Sequence, residues 1–509
     1  MLEEERKFEV GPRFAVPDLA ACVPAGGRIV VRPKVTLTAT YFDTADLRLA
    51  RAGVSLRHRR GDDLPWTVKL PTDVPGARHE ISRRGGSGSV PADLLALVTV
   101  WRRGAPIGPA AVLRSVRQRY DVCDASDTVL AEIADDSVSV VDGRRTVARF
   151  RELEVERKAG DTGLLDRIEA VLAGAGATTG IFTPKHVRAL GAAAQAPADL
   201  PAPALPHRPA VTAGEVATGA LRRDIARILM HDPLVRMRAG VGRGDTAVHQ
   251  MRVGCRRLRS DLRTFALLVD PGWAAELRTE VRWLARLLGA ARDAEVLRDR
   301  LVRTASADPL APLDEASVAR LDADLAARYE DAYTALDKAL ESERYLSLVD
   351  ALLAAGQPVL TALARAPAGE VLPRLVGTPW RALAYGDPGA FNGADDLDPA
   401  APDAVWHAVR IRAKRARYAV DAAAALGDPA RRLAAALARV QELLGEHQDA
   451  AVAAGTWLGI AQSDPDDHLL AVTAGRLMER ERAAIRTVRA GFAAAWRAAS
   501  ARRLTAWLP

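Results

Sequence analysis

The chain has 509 residues, with 71 Lys+Arg against 64 Asp+Glu, 49% apolar and 5% aromatic residues, and three cysteines. This length suggests roughly three folding units, the composition excludes wholesale disorder, and a net charge of only +7 means that any anion site is a local cluster. Cys22, Cys123 and Cys255 lack paired spacing, the acidic start MLEEERKFEV is no signal peptide, and no uncharged apolar run reaches about 18 residues. A soluble protein of a reducing, cytoplasmic compartment is expected.

The first ~190 residues read as strands bounded by Gly, Pro and Asp turns: 54–60, 66–71, 79–84, 115–125, 129–142 and 146–158. Charges recur at every second position in Glu3/Glu5/Lys7, Arg57/Arg59, Arg117/Arg119 and Glu152/Glu154/Glu156/Lys158, while Leu153 and Val155 take the opposite face. A sheet with one ionic face is either solvated there or closed into a barrel with a charged lumen. For one strand the solvated reading is the better one. For several together, clustered carboxylates repel unless a divalent cation neutralises them, and oxygen donors suit Mg²⁺ or Mn²⁺. Arg and Lys nearby would hold phosphate oxygens, Arg as a fork and Lys as a point charge.

Residues 192–213 are rich in Pro and Ala and mark a linker. Beyond it the spacing predicts helices over 215–230, 247–269, 274–303, 312–340, 404–426, 430–455 and 466–498, with a second break rich in Pro, Gly and Asp at about 367–403. A repeat crosses that break. His249, Arg252, Arg256 and Arg259 have the same offsets as His407, Arg410, Lys414 and Arg417. A Leu-Leu-Gly follows in each half, ending at Gly289 and Gly445, with Asp293 and Asp449 four residues further. A lone His on such a helix is more often a buried, satisfied imidazole, and an Arg row is more often solvated. Repetition of the whole ladder points instead to a basic groove, each face spanning ~15 Å at ~1.5 Å per residue. Asp293 and Asp449 can orient its cations. Metal ligation by these histidines is disfavoured by their cationic neighbours.

Six motifs in order carry a resemblance over about residues 1–191: Glu3-x-Glu5-x-Lys7, Tyr41-Phe42-Asp43-Thr44 leading to Leu56-Arg57-His58-Arg59, Trp66-Thr67-Val68-Lys69-Leu70-Pro71, Glu152-Leu-Glu154-Val-Glu156 and Thr183-Pro184-Lys185-x-x-Arg188. This region resembles a CYTH domain, or triphosphate tunnel metalloenzyme. The resemblance implies metal binding by Glu3, Glu5, Glu154 and Glu156, with Glu152 and Asp136 nearby. It implies triphosphate binding by Lys7, Arg57, Arg59, Lys69, Lys185 and an inward Arg, here Arg117 in preference to Arg119 or Arg114. Glu80 resembles the acid after the Lys strand. Glu5, Lys69 and Arg117 are the expected catalytic residues.

Residues 209–509 resemble a CHAD domain through VHQMRVGCRRLRSDLRTF (248–265), WHAVRIRAKRARYAVD (406–421) and the two Leu-Leu-Gly segments. That resemblance implies polyphosphate binding by His249, Arg252, Arg256, Arg259, His407, Arg410, Lys414 and Arg417, with Arg257 and Arg263 flanking. His447 stands where the first half has Ala291, so the halves are not equivalent.

The expected architecture is a two-domain α+β chain. An eight-stranded antiparallel β tunnel with flanking helices (1–191) and a linker (192–208) precede all-α, duplicated four-helix bundles (209–509, halves about 209–366 and 404–509). The expected function is Mg²⁺- or Mn²⁺-dependent hydrolysis of inorganic triphosphate or a related triphosphate, joined to polyphosphate binding. The alternative is a non-catalytic protein that binds polyphosphate and associates with its granules. No membrane partner is expected, and few aromatic stacking platforms disfavour nucleic acid.

Overall fold

Alternation between charged and apolar residues makes the strands of the first unit, and helical spacing makes the second. The computed structural model describes residues 2–72, 74, 76–179, 183–203, 211–242, 245–386, 393–464 and 466–509, with the backbone only at 2 and 3. The chain divides into two units, residues 1–199 and 200–509.

The first unit contains β1 (Leu2–Glu9), β2 (Arg28–Val31), β3 (Val35–Asp43), β4 (Ser55–Arg60), β5 (Trp66–Pro71), β6 (Ala77–Arg83), β7 (Gly108–Cys123), β8 (Val129–Asp142), β9 (Arg145–Arg157) and β10 (Thr178–Thr179). Its helices are α1 (Arg48–Arg51), α2 (Ala92–Leu97), α3 (Thr99–Arg102), α4 (Thr162–Gly174) and α5 (Lys185–Leu190). Eight strands run antiparallel in the order β1-β6-β5-β4-β3-β7-β8-β9, and pairing of β9 with β1 closes the barrel. Two short strands go beyond the expected eight, β2 on β7 and β10 on β1.

Register decides which residues share the lumen, since a slip of one would turn every glutamate outward. Leu153 and Val155 are buried with Phe8, Ile133 and the α4 residues Leu164, Leu165 and Ile168. Each such side chain contributes about 1.5–3 kcal/mol, which holds β9 with its glutamates on the other face. Asp161 starts α4 by accepting the Leu164 N–H. The Tyr41-Phe42-Asp43-Thr44 motif has a structural part to play. Buried Asp43 accepts N–H bonds from Thr44 (2.7 Å), Leu49 (2.9 Å) and Ala50 (2.9 Å), turning β3 into α1. Ala39, Tyr41, Leu113 and Val138 form a separate buried apolar cluster, so the inward faces are not ionic along their whole length.

The second unit contains α6 (Ala213–Arg236), α7 (Ala247–Thr264), α8 (Pro271–Ala305), α9 (Glu315–Leu340), α10 (Glu343–Ala354), α11 (Ala368–Tyr385), α12 (Asp403–Ala422), α13 (Asp428–Ser463), α14 (His468–Ala499) and α15 (Arg502–Thr505). The order α6-α7-α8-α9 recurs as α11-α12-α13-α14. Helices α7 and α12 have 18 and 20 residues, and α8 and α13 have 35 and 36.

Two expectations need correction. The unit is not purely helical, because a two-stranded hairpin, β11 (Gly240–Gly242) with β12 (Asp245–Thr246), precedes α7. The break assigned to about 367–403 contains the whole of an 18-residue helix, α11. Pro373 and Pro379 each remove a helical hydrogen bond. The apolar face of Val371, Leu372, Val376, Trp380 and Leu383 nevertheless buries into the core and outweighs them. Among the described residues no helix is long and apolar enough to cross a membrane.

Candidate functional site

The barrel encloses a cavity of about 560 Å³, and the strand register builds its wall in rows. In one row Glu5 of β1 lies opposite Glu156 of β9, which lies opposite Glu132 of β8. Directly opposed like charges destabilise a sheet, so this row needs cations. Glu5 is 3.3 Å from Lys7, Glu156 is 2.5 Å from Lys158, and Glu132 is 3.4 Å from Arg119. In the next row Lys7 lies opposite Glu154, donating to it at 2.5 Å. The third row joins Arg117, Asp136 and Glu152.

Glu154 is the hub. It accepts from Lys185 at 2.9 Å and from Arg117 at 3.3 Å, as well as from Lys7. Burial pushes its pKa up, but Lys185, Lys7, Arg117 and Lys69 together hold it well below the usual carboxylate range. Burial likewise opposes the charge of Lys7, yet Glu154, Glu5 and Glu152 raise its pKa. Lys185, at the start of α5, behaves in the same way through Glu154, Asp136 and Glu152. Lys69 of β5 faces Glu80 of β6 at 3.1 Å. Arg57 and Arg59 of β4 complete the cationic side of the cavity, and the Arg57 Nε has no hydrogen-bond partner among the described residues.

Asp136 and Glu152, expected near a metal, do not line the cavity. Asp136 is fully buried and bridges Arg117, at 2.8 and 2.7 Å, and Lys185. Glu152 is 3.3 Å from Lys185. Both therefore orient cations. The Glu3 side chain lies outside the described residues. Arg117 and Arg119 both line the cavity, and only Arg117 reaches Asp136 and Glu154.

Three ionisable wall residues escaped the sequence reading. Glu132 shares the inward alternation of Asp136, which is the signal that could have found it. Arg78 sits on β6 two residues before Glu80 and in register with Glu3 of β1, so the alternation could have found it as well. His186, next to Lys185, stacks on Tyr41 at 5.3 Å, and its Nε2 has no hydrogen-bond partner among the described residues. Burial, then Lys7, Arg78 and Arg57, lower its pKa to about 3, so it is neutral. Among the described residues no group of three or more His, Cys, Asp or Glu stands in a metal-holding arrangement. The donor chemistry of the Glu5–Glu156–Glu132 row still fits a hard divalent cation, with lysine and arginine now serving those oxygens.

In the second unit the two ladders lie on equivalent helices. Thr246 accepts the His249 N–H and starts α7. Arg252 pairs with Asp293 at 3.0 Å, and its repeat partner Arg410 is 3.8 Å from Asp449. Lys414 lies among Arg410, Arg256 and Arg252, and burial followed by these charges lowers its pKa to about 6. Burial, Arg292, Arg256 and Arg252 outweigh Asp245 and lower His249 to about 4. The buried Nε atoms of Arg256, Arg410 and Arg417 have no hydrogen-bond partner among the described residues, which leaves donors for an anion.

Other members depart from a uniform ladder. Arg417 lies 3.7 Å from Asp421, which Arg257 reaches at 2.9 Å. Arg259 keeps company with Arg282, Arg278 and Arg415, where Arg263 also sits. His407 bonds through Nδ1 to Gln448. His447, without a counterpart in the first half, stacks on Trp406 at 5.0 Å and accepts from Arg489 at 3.1 Å.

Comparison with known proteins gives matching results for both units. The family model of the CYTH domain matches residues 1–173, and that of the CHAD domain matches residues 219–458. Two uncharacterised proteins of Mycobacterium tuberculosis, MT2285 of strain CDC 1551 / Oshkosh and Rv2226 of strain ATCC 25618 / H37Rv, are each 34% identical over 475 residues. In each case the match covers 89% of this chain and 87% of theirs. A solved CHAD domain from the plant Ricinus communis is 27% identical, covering 57% of this chain and 95% of that one with a TM-score of 0.43. PptA from Streptomyces chartreusis is 22% identical, covering 56% and 100% with a TM-score of 0.44.

Proposed function

Because this chain belongs to the CYTH and CHAD domain families, we propose that its barrel hydrolyses inorganic triphosphate or a related triphosphate with a divalent metal, and that its helical unit binds inorganic polyphosphate. The observation that carries the proposal is the cavity wall itself, with a row of carboxylates beside Lys7, Lys69, Lys185, Arg57, Arg59 and Arg117. Oxygen donors and forked cations on one enclosed surface are the apparatus of phosphoryl transfer.

Glu5, Glu132 and Glu156, with Glu154 and Glu3, would hold Mg²⁺ or Mn²⁺, which when bound would neutralise phosphate charge. Lys7 and Lys185 exchange Glu154 for phosphate oxygens as the substrate enters. Lys69 and Arg117 offset the charge that develops on the transferring and leaving groups. Glu5 accepts a hydrogen bond from the attacking water and orients it. Asp136 and Glu152 keep Arg117 and Lys185 aimed inward. In the helical unit Arg252, Arg256, Arg259, His249, His407, Arg410, Lys414 and Arg417 take successive phosphates of a longer chain.

Phosphate release from tripolyphosphate with Mg²⁺ or Mn²⁺ tests the first half. Glu5→Gln and Lys69→Ala should each lower the rate about a hundredfold or more. Equal activity of both variants and the parent would sink it. A second reading is favoured by the pairing of each acid in the carboxylate row with a lysine or arginine: a non-catalytic protein that binds polyphosphate and associates with its granules. It predicts salt-sensitive polyphosphate binding, lost in Arg252→Ala/Arg410→Ala, without turnover of any triphosphate.

A further inference from the structure

A second cavity, of about 340 Å³, opens between α7, α11 and α12. It is within the range of small-molecule sites and differs in kind from both phosphate surfaces described above. One wall is apolar, with Leu267, Leu375, Pro379 and Ala382. The other carries Arg263, Arg412 and Arg415. Arg412 is only 8% exposed, so one guanidinium is built into the wall rather than lying on the surface. The strongest charges acting on Arg263 come from Arg415, Arg278, Arg259 and Arg282, all of them cations. Such a cluster calls for an anion.

The cavity also has polar lining beside the arginines, from the hydroxyl residues Ser260, Thr264 and Thr378. An occupant bearing a hydroxyl or amino donor can hydrogen-bond such groups. A linear polyphosphate has no apolar part for Leu267 and Ala382.

We propose that this cavity is a separate site for a small organic phosphate, with the phosphate on Arg263, Arg412 and Arg415 and a flat or apolar body, carrying a hydrogen-bond donor, against Leu375, Pro379 and Ala382. A nucleoside monophosphate has this chemistry. The site lies in the helical unit and does not rest on catalysis in the barrel.

Isothermal titration of the full chain with adenosine 5′-monophosphate and with inorganic phosphate tests it. The nucleotide should bind at least about tenfold more tightly than inorganic phosphate, at one site. Ala382→Phe, which fills the apolar side, should remove that binding while leaving the affinity for long-chain polyphosphate unchanged. Arg415→Gln, at an exposed position, should weaken the nucleotide about tenfold with an unaltered melting temperature. Equal affinity for nucleotide and inorganic phosphate, or nucleotide binding that survives Ala382→Phe, would overturn the proposal.

Discussion

The barrel and the helical ladder are both rich in arginine and lysine, but they handle charge in opposite ways. In the barrel Lys7, Lys69, Arg117 and Lys185 each face a carboxylate within 3.3 Å. In the ladder Lys414, Arg410 and Arg259 lie mainly among other cations, and burial together with those neighbours lowers their pKa values. These four cations of the barrel are matched by carboxylates of the wall itself. The ladder stores repulsion that an anion relieves. Removing a carboxylate should therefore do damage in one place and little or the reverse in the other.

The largest effect is expected at Asp136. Asp136→Asn leaves Arg117 and Lys185 short of their buried counter-charge, and breaking such a pair from one side typically destabilises by about 3–5 kcal/mol. Denaturant unfolding should show that loss in the transition of residues 1–199, while the helical transition stays in place. Loss shared equally by both transitions would break the comparison. Acid should act in the same direction. Glu154 and Asp136 have depressed values in the folded state, so their contribution is present above the ordinary carboxylate range and is lost as pH falls through the folded values.

Lys414 supplies an effect of intermediate size in a different pH window. Its folded pKa of about 6 lies below its ordinary value, so between the two the unfolded chain binds the extra proton. Stability from this group therefore rises with pH over that interval and is flat below about 6. A bound polyanion restores the proton, which makes binding proton-linked. Polyphosphate affinity should fall as pH rises from 6 to 9, by up to about tenfold per unit if one proton is taken up. Lys414→Arg keeps its charge and should flatten the profile. The check is the dissociation constant at pH 6, 7, 8 and 9, and an unchanged slope in the variant would show that Lys414 is not the linked group.

Much of this contrast could be read from alternation alone. Period two separated Glu152, Glu154 and Glu156 from Leu153 and Val155, and the closed sheet keeps that separation. Glu132 and Asp136 lie four residues apart on one face of β8, so alternation alone does not separate them. Which of the two acids borders the cavity depends on the neighbours across the barrel, which no single strand encodes. The repeat of His249 to Arg259 in His407 to Arg417 located both helices correctly. It could not divide Arg259 from Arg256, because offsets of 3, 7 and 10 at about 100° per residue share a face only broadly. The arginines of α8 and α12 make that division. Helix α11 was missed because two prolines outweigh an apolar face in a local reading, whereas in the folded unit the buried face prevails.

Asp293 offers the smallest effect and the most direct contrast with Asp136. It pairs with Arg252 at 3.0 Å, and its side chain is 62% exposed, so water already screens the pair. Exposed pairs of this kind are worth about 0–1 kcal/mol, and Asp293→Asn should leave the melting temperature nearly unchanged. The substitution also frees a guanidinium that must otherwise leave a carboxylate before it can meet a phosphate. Polyphosphate affinity should therefore rise about two- to threefold at low salt, a gain that shrinks as salt screens the groove. A fall in affinity would mean that Asp293 holds Arg252 in its binding position, as Asp136 holds Arg117, and that the two surfaces are organised more alike than their charge balance indicates.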